Sequence, residues 1–296
     1  MSKVQIGINP LTWSNDDMPS LGADTPLEVC LEESRLAGYA GVELGNKFPR
    51  DPEVLKPILA QFDRQLVSGW YSSRLLERTA EEEIAALQDH LKLLKGCGSK
   101  VMVYAEVSGC IHGEIDTPLS KRPVLRADQW EEFGKRMTQV GDYLLSQGVK
   151  LAYHHHMGTV VETEDEVDLL MQHTGDSVGL LVDTGHITWA GGSPLSLIKK
   201  YGPRVSHVHC KDIRPQIMAH AKNTDQPFLR AVLDGVYTVP GDGFLDYQAV
   251  MHALKAIDYS GWIVVEAEQD PAVAHPLTYA KMGYEHLAEC VAKAGL

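Results

Sequence analysis

Four clusters of imidazole and carboxylate side chains each stand at the end of a short apolar run. His154-His155-His156 follows residues 149–153, and Asp183-Thr184-Gly185-His186 follows 178–182. His207-Val208-His209 follows 205–206, and Glu266-Ala267-Glu268 follows 262–265. Such a run reads as a buried parallel strand. A polar residue at its C-terminal tip is where an α/β barrel places its chemistry. Four strand tips on one rim can converge on one divalent ion. The nitrogen and oxygen mix suits manganese, cobalt, iron or zinc, and no cysteine is in the set.

Side chains on a strand alternate faces, so His154 and His156 share a direction and His155 takes the other. The same holds for His207 with His209 and for Glu266 with Glu268. Each pair offers two candidates for one inward position. A single histidine of this kind reads as a satisfied core group, but four clusters in register on strand ends call for a shared purpose. Candidate acids and bases are Glu43 at another strand tip, Lys211, and His155 or His156. The plain alternatives are a Glu43–Lys47 salt bridge and a solvated Lys211. Trp13 and Tyr71 are candidates for an apolar wall or for rim packing, and Asn9 for a hydrogen bond to a substrate hydroxyl. The Gly241-Asp242-Gly243 turn alone is too short to mean phosphate binding.

The elements that would position these groups alternate from end to end. Strands are predicted over 4–9, 41–44, 65–71, 100–106, 150–154, 178–183, 205–209 and 262–266. Helices are predicted over 25–37, 52–64, 80–95, 127–147, 163–173, 246–257 and 272–294. Thr25 with Glu28, and Thr79 with Glu82, have the spacing of capping boxes. Eight strands with intervening helices imply a closed (β/α)8 TIM barrel, one domain over residues 1–296, rather than an open doubly wound sheet. Two long connections, 108–126 and 211–243, fall on the C-terminal rim, where long loops shape a site.

The 296 residues carry a formal net charge of −13, which repels a phosphate backbone and makes nucleic acid a poor partner. No long apolar stretch reads as a membrane span, and the segment after Met1 lacks a signal peptide's apolar region. Cys30, Cys97, Cys110, Cys210 and Cys290 are scattered and odd in number, so they read as free thiols in a reducing cytoplasm.

The motifs themselves resemble the xylose isomerase-like barrel superfamily of sugar isomerases, epimerases and type IV endonucleases. Residues 151–158 resemble its fifth-strand motif, with His154 where a metal-binding Glu usually stands. Asp183 to His186 resembles the sixth-strand Asp-x-x-His, and residues 207–212 the seventh-strand His-x-His-x-Lys-Asp. Residues 240–246 resemble the turn that follows. Within the superfamily, residues 9–13 and 266–271 resemble the inosose dehydratase family. The resemblance implies dehydration of 2-keto-myo-inositol to a trihydroxycyclohexanedione in inositol breakdown. It implies manganese or cobalt, with glutathione as an accessory, and a small polyol ketone as the partner; a homo-oligomer is left open.

Carried over residue by residue, the resemblance implies His154, Asp183, His209 and Glu266 as metal ligands. It implies His186 as a supporting or substrate-contacting group and Glu268 as the alternative to Glu266. A neutral imidazole in place of a carboxylate leaves the ion one unit more positive and a stronger Lewis acid. Such an ion acidifies the hydrogen next to a ketone; a base removes it and a general acid helps a β-hydroxyl leave. A keto-sugar isomerase or epimerase shares these first steps and is the competing reading. A non-catalytic sugar- or metal-binding protein is a third. A DNA-repair nuclease is disfavoured by charge and by an expected shortage of ligands for a three-metal cluster.

Overall fold

The computed structural model describes residues 3–296; Met1 and Ser2, part of the segment read for a leader, lie outside them. Seven strands come first: β1 (Val4–Ile8), β2 (Gly41–Leu44), β3 (Gln65–Ser73), β4 (Val101–Glu106), β5 (Lys150–His154), β6 (Val178–Asp183) and β7 (Val205–Cys210). Two short strands, β8 (Asp212–Ile213) and β9 (Tyr237–Thr238), precede β10 (Gly261–Val265). The long strands close into a parallel barrel in the order β1-β10-β7-β6-β5-β4-β3-β2. All eight were predicted, with ends shifted by a residue or two.

Closure hides both faces of every strand, which is why the strands read as unbroken apolar runs. The outer face packs on α1 (Leu27–Ala37), α2 (Pro52–Gln61), α3 (Ala80–Ala86), α4 (Gln88–Gly96), α5 (Trp130–Ser146) and α6 (Glu164–His173). The predicted 80–95 helix is thus two, meeting at Leu87, where ψ of −3° bends the axis. Thr79–Glu82 and Thr163–Glu166 form reciprocal capping boxes for α3 and α6. Thr25 does not cap α1. Pro26 holds that place, the Thr25 N–H goes to Gly22 O, and its carbonyl accepts from Lys47.

After β6 come α7 (Thr184–Trp189) and α8 (Pro194–Tyr201), which the sequence reading left unassigned. Ser193 caps α8 and Pro194 opens it, a start signal that was present. The 211–243 connection is not irregular: β8 and β9 pair antiparallel around α9 (Pro215–Asn223) and α10 (Phe228–Leu233). Trp189, Phe228, Val232, Tyr237 and Met157 form a second core above the rim, so this segment caps the barrel mouth. Asp212 ties its exit: the carboxylate accepts from the N–H groups of Gly241, Gly243 and Leu245. A Cβ at Gly243 would stand 2.2 Å from Asp212 Oδ1, which requires glycine there. The chain ends with α11 (Tyr247–Ala256) and α12 (Pro276–Ala294). Among the described residues no helix is long and apolar enough to cross a membrane.

Candidate active site

Four inward side chains at the C-terminal rim, His154, Asp183, His209 and Glu266, each have one polar atom anchored and another turned toward the others. The His155 carbonyl can only accept, so His154 Nδ1, 2.6 Å away, carries the hydrogen and Nε2 keeps a lone pair. Asp183 Oδ1 accepts the His186 N–H at 2.8 Å and so caps α7; Oδ2 has no hydrogen-bond partner. His209 Nε2 donates to Glu43 Oε1 at 3.1 Å, leaving Nδ1 unbonded. Glu266 Oε1 accepts from Asn9 Nδ2 at 3.3 Å, and Oε2 is unbonded.

The leftover atoms face one another. His154 Nε2 lies 3.6 Å from Asp183 Oδ2 and 3.9 Å from Glu266 Oε2. His209 Nδ1 lies 3.7 Å from Asp183 Oδ2 and 2.7 Å from Glu266 Oε2, yet is out of line for a hydrogen bond. All four groups are buried and offer atoms within 4.8 Å of one another. Ligand bonds of about 2.0–2.2 Å put neighbouring ligands about 3–4 Å apart, and a catalytic ion keeps a further position open. Four converging ligand atoms, three of them without a hydrogen-bond partner, fit a divalent cation. Burial disfavours the His209 imidazolium, but Glu266 and Glu43 reverse that and hold its pKa well above the ordinary range. A cation on Nδ1 has to displace that proton.

Glu43 is spoken for. Its Oε1 accepts from Ser68, from His207 at 2.9 Å and from His209, and its Oε2 accepts from Asn9 at 2.7 Å. Burial would raise its pKa, but His209 and His207 hold the carboxyl well below the ordinary range. A carboxylate so stabilised is a poor base. Glu43 stands behind His209 as carboxylates stand behind metal-ligating histidines, a place that suits orienting better than the expected role as base. Lys47 does not pair with it and instead donates to the carbonyls of residues 22, 23 and 25.

Lys211 is no solvated loop residue. It is fully buried, with Nζ 2.6 Å from Glu268 Oε1, 3.3 Å from Glu266 Oε2 and 3.0 Å from His186 Nε2. Burial lowers its pKa, but Glu266, Glu268 and Asp183 outweigh that and keep it charged. Gly185 makes room for it, since a Cβ there would come within 2.8 Å of Lys211 Cγ. Burial lifts Glu268 to about 7 despite the pull of Lys211. Glu268 lines the cavity beside His156, and the His156 and His186 rings lie 3.8 Å apart under Phe228.

Three further expectations are corrected. His155 does not face the cavity: strand alternation turns it away, its Nε2 accepts the Asp183 N–H at 3.3 Å, and burial drops its pKa to about 3. Trp13 is core, 1% exposed, with its indole N–H on Glu33. Tyr71 sits on the outer face of β3 against Tyr104 and His90. The aromatic wall is its neighbour Trp70, whose ring lies 5.3 Å from that of His154. Asp16 and Asp17, from the loop after β1, complete the mouth of the cleft and were not anticipated. Ligand-type side chains are also more plentiful than expected: Glu43–His207–His209 and His156–His186–Glu268 form two further groups.

Residues 31–290 match the model of a xylose isomerase-like TIM barrel. The chain belongs to the xylose isomerase-like TIM barrel family. The rhizopine catabolism protein MocC of Rhizobium meliloti is 50% identical over 295 residues, covering 100% of this chain and 91% of that one. The inosose dehydratase of Geobacillus thermodenitrificans is 41% identical over 290 residues, 97% of either chain. Among solved members of the family fold, the IOLI protein with a bound zinc atom superposes with a TM-score of 0.65 at 20% identity, covering 98% of this chain and 97% of that one. The family and the barrel read from the motifs are borne out.

Proposed function

We propose that this protein is a metal-dependent hydro-lyase that dehydrates 2-keto-myo-inositol to a trihydroxycyclohexane-1,2-dione. The full-length likeness to inosose dehydratases supports the substrate and the reaction class. The observation that carries the metal is the set of four buried side chains with one atom anchored and the other turned toward a common point, three of those four atoms having no hydrogen-bond partner. His154, Asp183, His209 and Glu266 hold the ion in this reading. Manganese or cobalt comes first, with zinc or iron as the other metals compatible with the ligands. The ion would supply Lewis-acid stabilisation to a ketone oxygen.

The remaining steps belong to this chain's own groups. Glu268, lifted to about 7, takes the proton next to the ketone. The electron pair left behind forms the carbon–carbon double bond as the β-carbon–oxygen bond breaks. The departing oxygen takes its pair and a proton from the Lys211 ammonium and leaves as water. Glu268 then returns its proton to Lys211 across their 2.6 Å contact, which resets the pair. The enol product tautomerises to the dione. His156, His186 and Asn9 hold ring hydroxyls, and Trp70 covers the ring's apolar face.

The test mixes metal-loaded protein with 2-keto-myo-inositol and follows a conjugated dione in the ultraviolet and loss of one water by mass. Glutathione, read as an accessory, is added or withheld in parallel. Recovery of an epimerised ketone without dione would instead support the isomerase or epimerase reading. Because the MocC relative is named for rhizopine catabolism, rhizopine belongs in the same assay. The proposed place of action is the cytoplasm, where the five free cysteines stay reduced.

A further inference from the structure

We infer that Lys211 is a tethered second cation: its ammonium occupies the place where a second metal ion would otherwise bind, which keeps this site mononuclear. The inference rests on the metal reading above and extends it to a cluster that reading does not use as ligands.

His156, His186 and Glu268 are buried and offer ligand atoms within 4.8 Å of one another. Taken alone, two imidazoles and a carboxylate from the segments that follow β5, β6 and β10 are a reasonable ion site. Lys211 Nζ sits within it, 3.0 Å from His186 Nε2 and 2.6 Å from Glu268 Oε1. It also reaches 3.3 Å to Glu266 Oε2, the orphaned oxygen that faces the first site, and 4.0 Å to Asp183 Oδ2. Glu266 Oε2 is thus within reach of both His209 and the Lys211 ammonium. The Tyr237 ring, 4.6 Å from Nζ, shields the ammonium on its remaining side.

Two observations argue that the lysine is fitted here. Its side chain is fully buried, which costs free energy unless charges match it, and the matching charges are Glu266, Glu268 and Asp183. Its stem also needs the missing Cβ of Gly185, whose addition would clash with Lys211 Cβ and Cγ at 2.9 and 2.8 Å. The chemical gain is specific. A second metal at this point could hold an oxygen but has no proton of its own to give. An ammonium holds the oxygen and also protonates it, which is what a departing hydroxyl needs.

The test is metal stoichiometry, read by elemental analysis and by electron paramagnetic resonance of manganese-loaded protein. The wild-type chain is expected to bind one manganese with the signal of an isolated ion. Lys211→Ala is expected to bind two, with the altered signal of an exchange-coupled pair. Lys211→Ala combined with His186→Ala is expected to return to one. Lys211→Ser provides the same opening should the alanine variant fail to fold. A wild-type chain holding a coupled pair would overturn the inference, as would a folded Lys211→Ala or Lys211→Ser chain that stops at one ion. A wild-type chain that binds no divalent ion would count against the four-ligand reading itself, so the two failures are distinct.

Discussion

At the scale of single residues, the site divides into atoms that hold and atoms that act. Glu43 holds, so Glu43→Gln should loosen His209 and weaken metal affinity about 10- to 100-fold, as loss of such supporting groups does. Competition with a chelator measures this. A base would behave otherwise, losing turnover with metal affinity intact. His154 acts through its charge, or lack of it. His154→Glu should retain the ion but neutralise more of its charge, and turnover should fall about tenfold, the equivalent of ~1.4 kcal/mol on the barrier. Steady-state rates at saturating metal decide the point, and an unchanged rate would defeat the Lewis-acid argument. The convergence of His154, Asp183, His209 and Glu266 was legible because imidazole and carboxylate at strand tips are rare and chemically distinct. The aromatic wall was not, because Trp70 and Tyr71 are neighbours on β3 and only the register of the closed barrel decides which one faces in.

At the scale of elements, each barrel strand was readable from an apolar run, because burial on both faces removes polar residues from it. The cap was not. Residues 211–243 carry helices of nine and six residues and two-residue strands, and their apolar positions follow the small core above the rim rather than one long amphipathic period. Phe228, fully buried, lies over His156, His186 and Trp189 at the centre of that core. Phe228→Ala removes packing of the kind that costs about 3–5 kcal/mol in a core. That loss should fall on the cap. Hydrogen exchange across 211–243 should quicken and KM should rise several-fold, while metal content stays as in the parent. Unchanged exchange in the cap with a lowered global Tm would show that the cap and barrel unfold as one.

At the scale of the whole molecule, acid stability depends on histidines buried without charge. His90, on α4, donates its Nε2–H to the Gly69 carbonyl at 3.2 Å. Burial lowers its pKa from the ordinary 6.5 to about 4, against a smaller upward pull from that hydrogen bond. The folded value is the depressed one, so protons bind the unfolded chain more readily. Its stabilising contribution is complete above pH 6.5 and is lost as pH falls toward 4. One such group adds at most ~1.4 kcal/mol per pH unit to the slope. His90→Gln should flatten the pH dependence of urea unfolding in that window, and an unaltered slope would remove His90 from the account.

Ring closure also has a consequence in time. Val4 on β1 pairs with Gly261 on β10, so the first strand of the ring to be made has as one neighbour the last. At about 5–20 residues per second, synthesis separates them by on the order of tens of seconds. Through that interval the β10-facing edge of β1 has no partner, and Glu266, just past β10, has not been made. A nascent chain therefore cannot trap metal with the full set until Glu266 has been made, and capture of the ion becomes a report that the ring has shut.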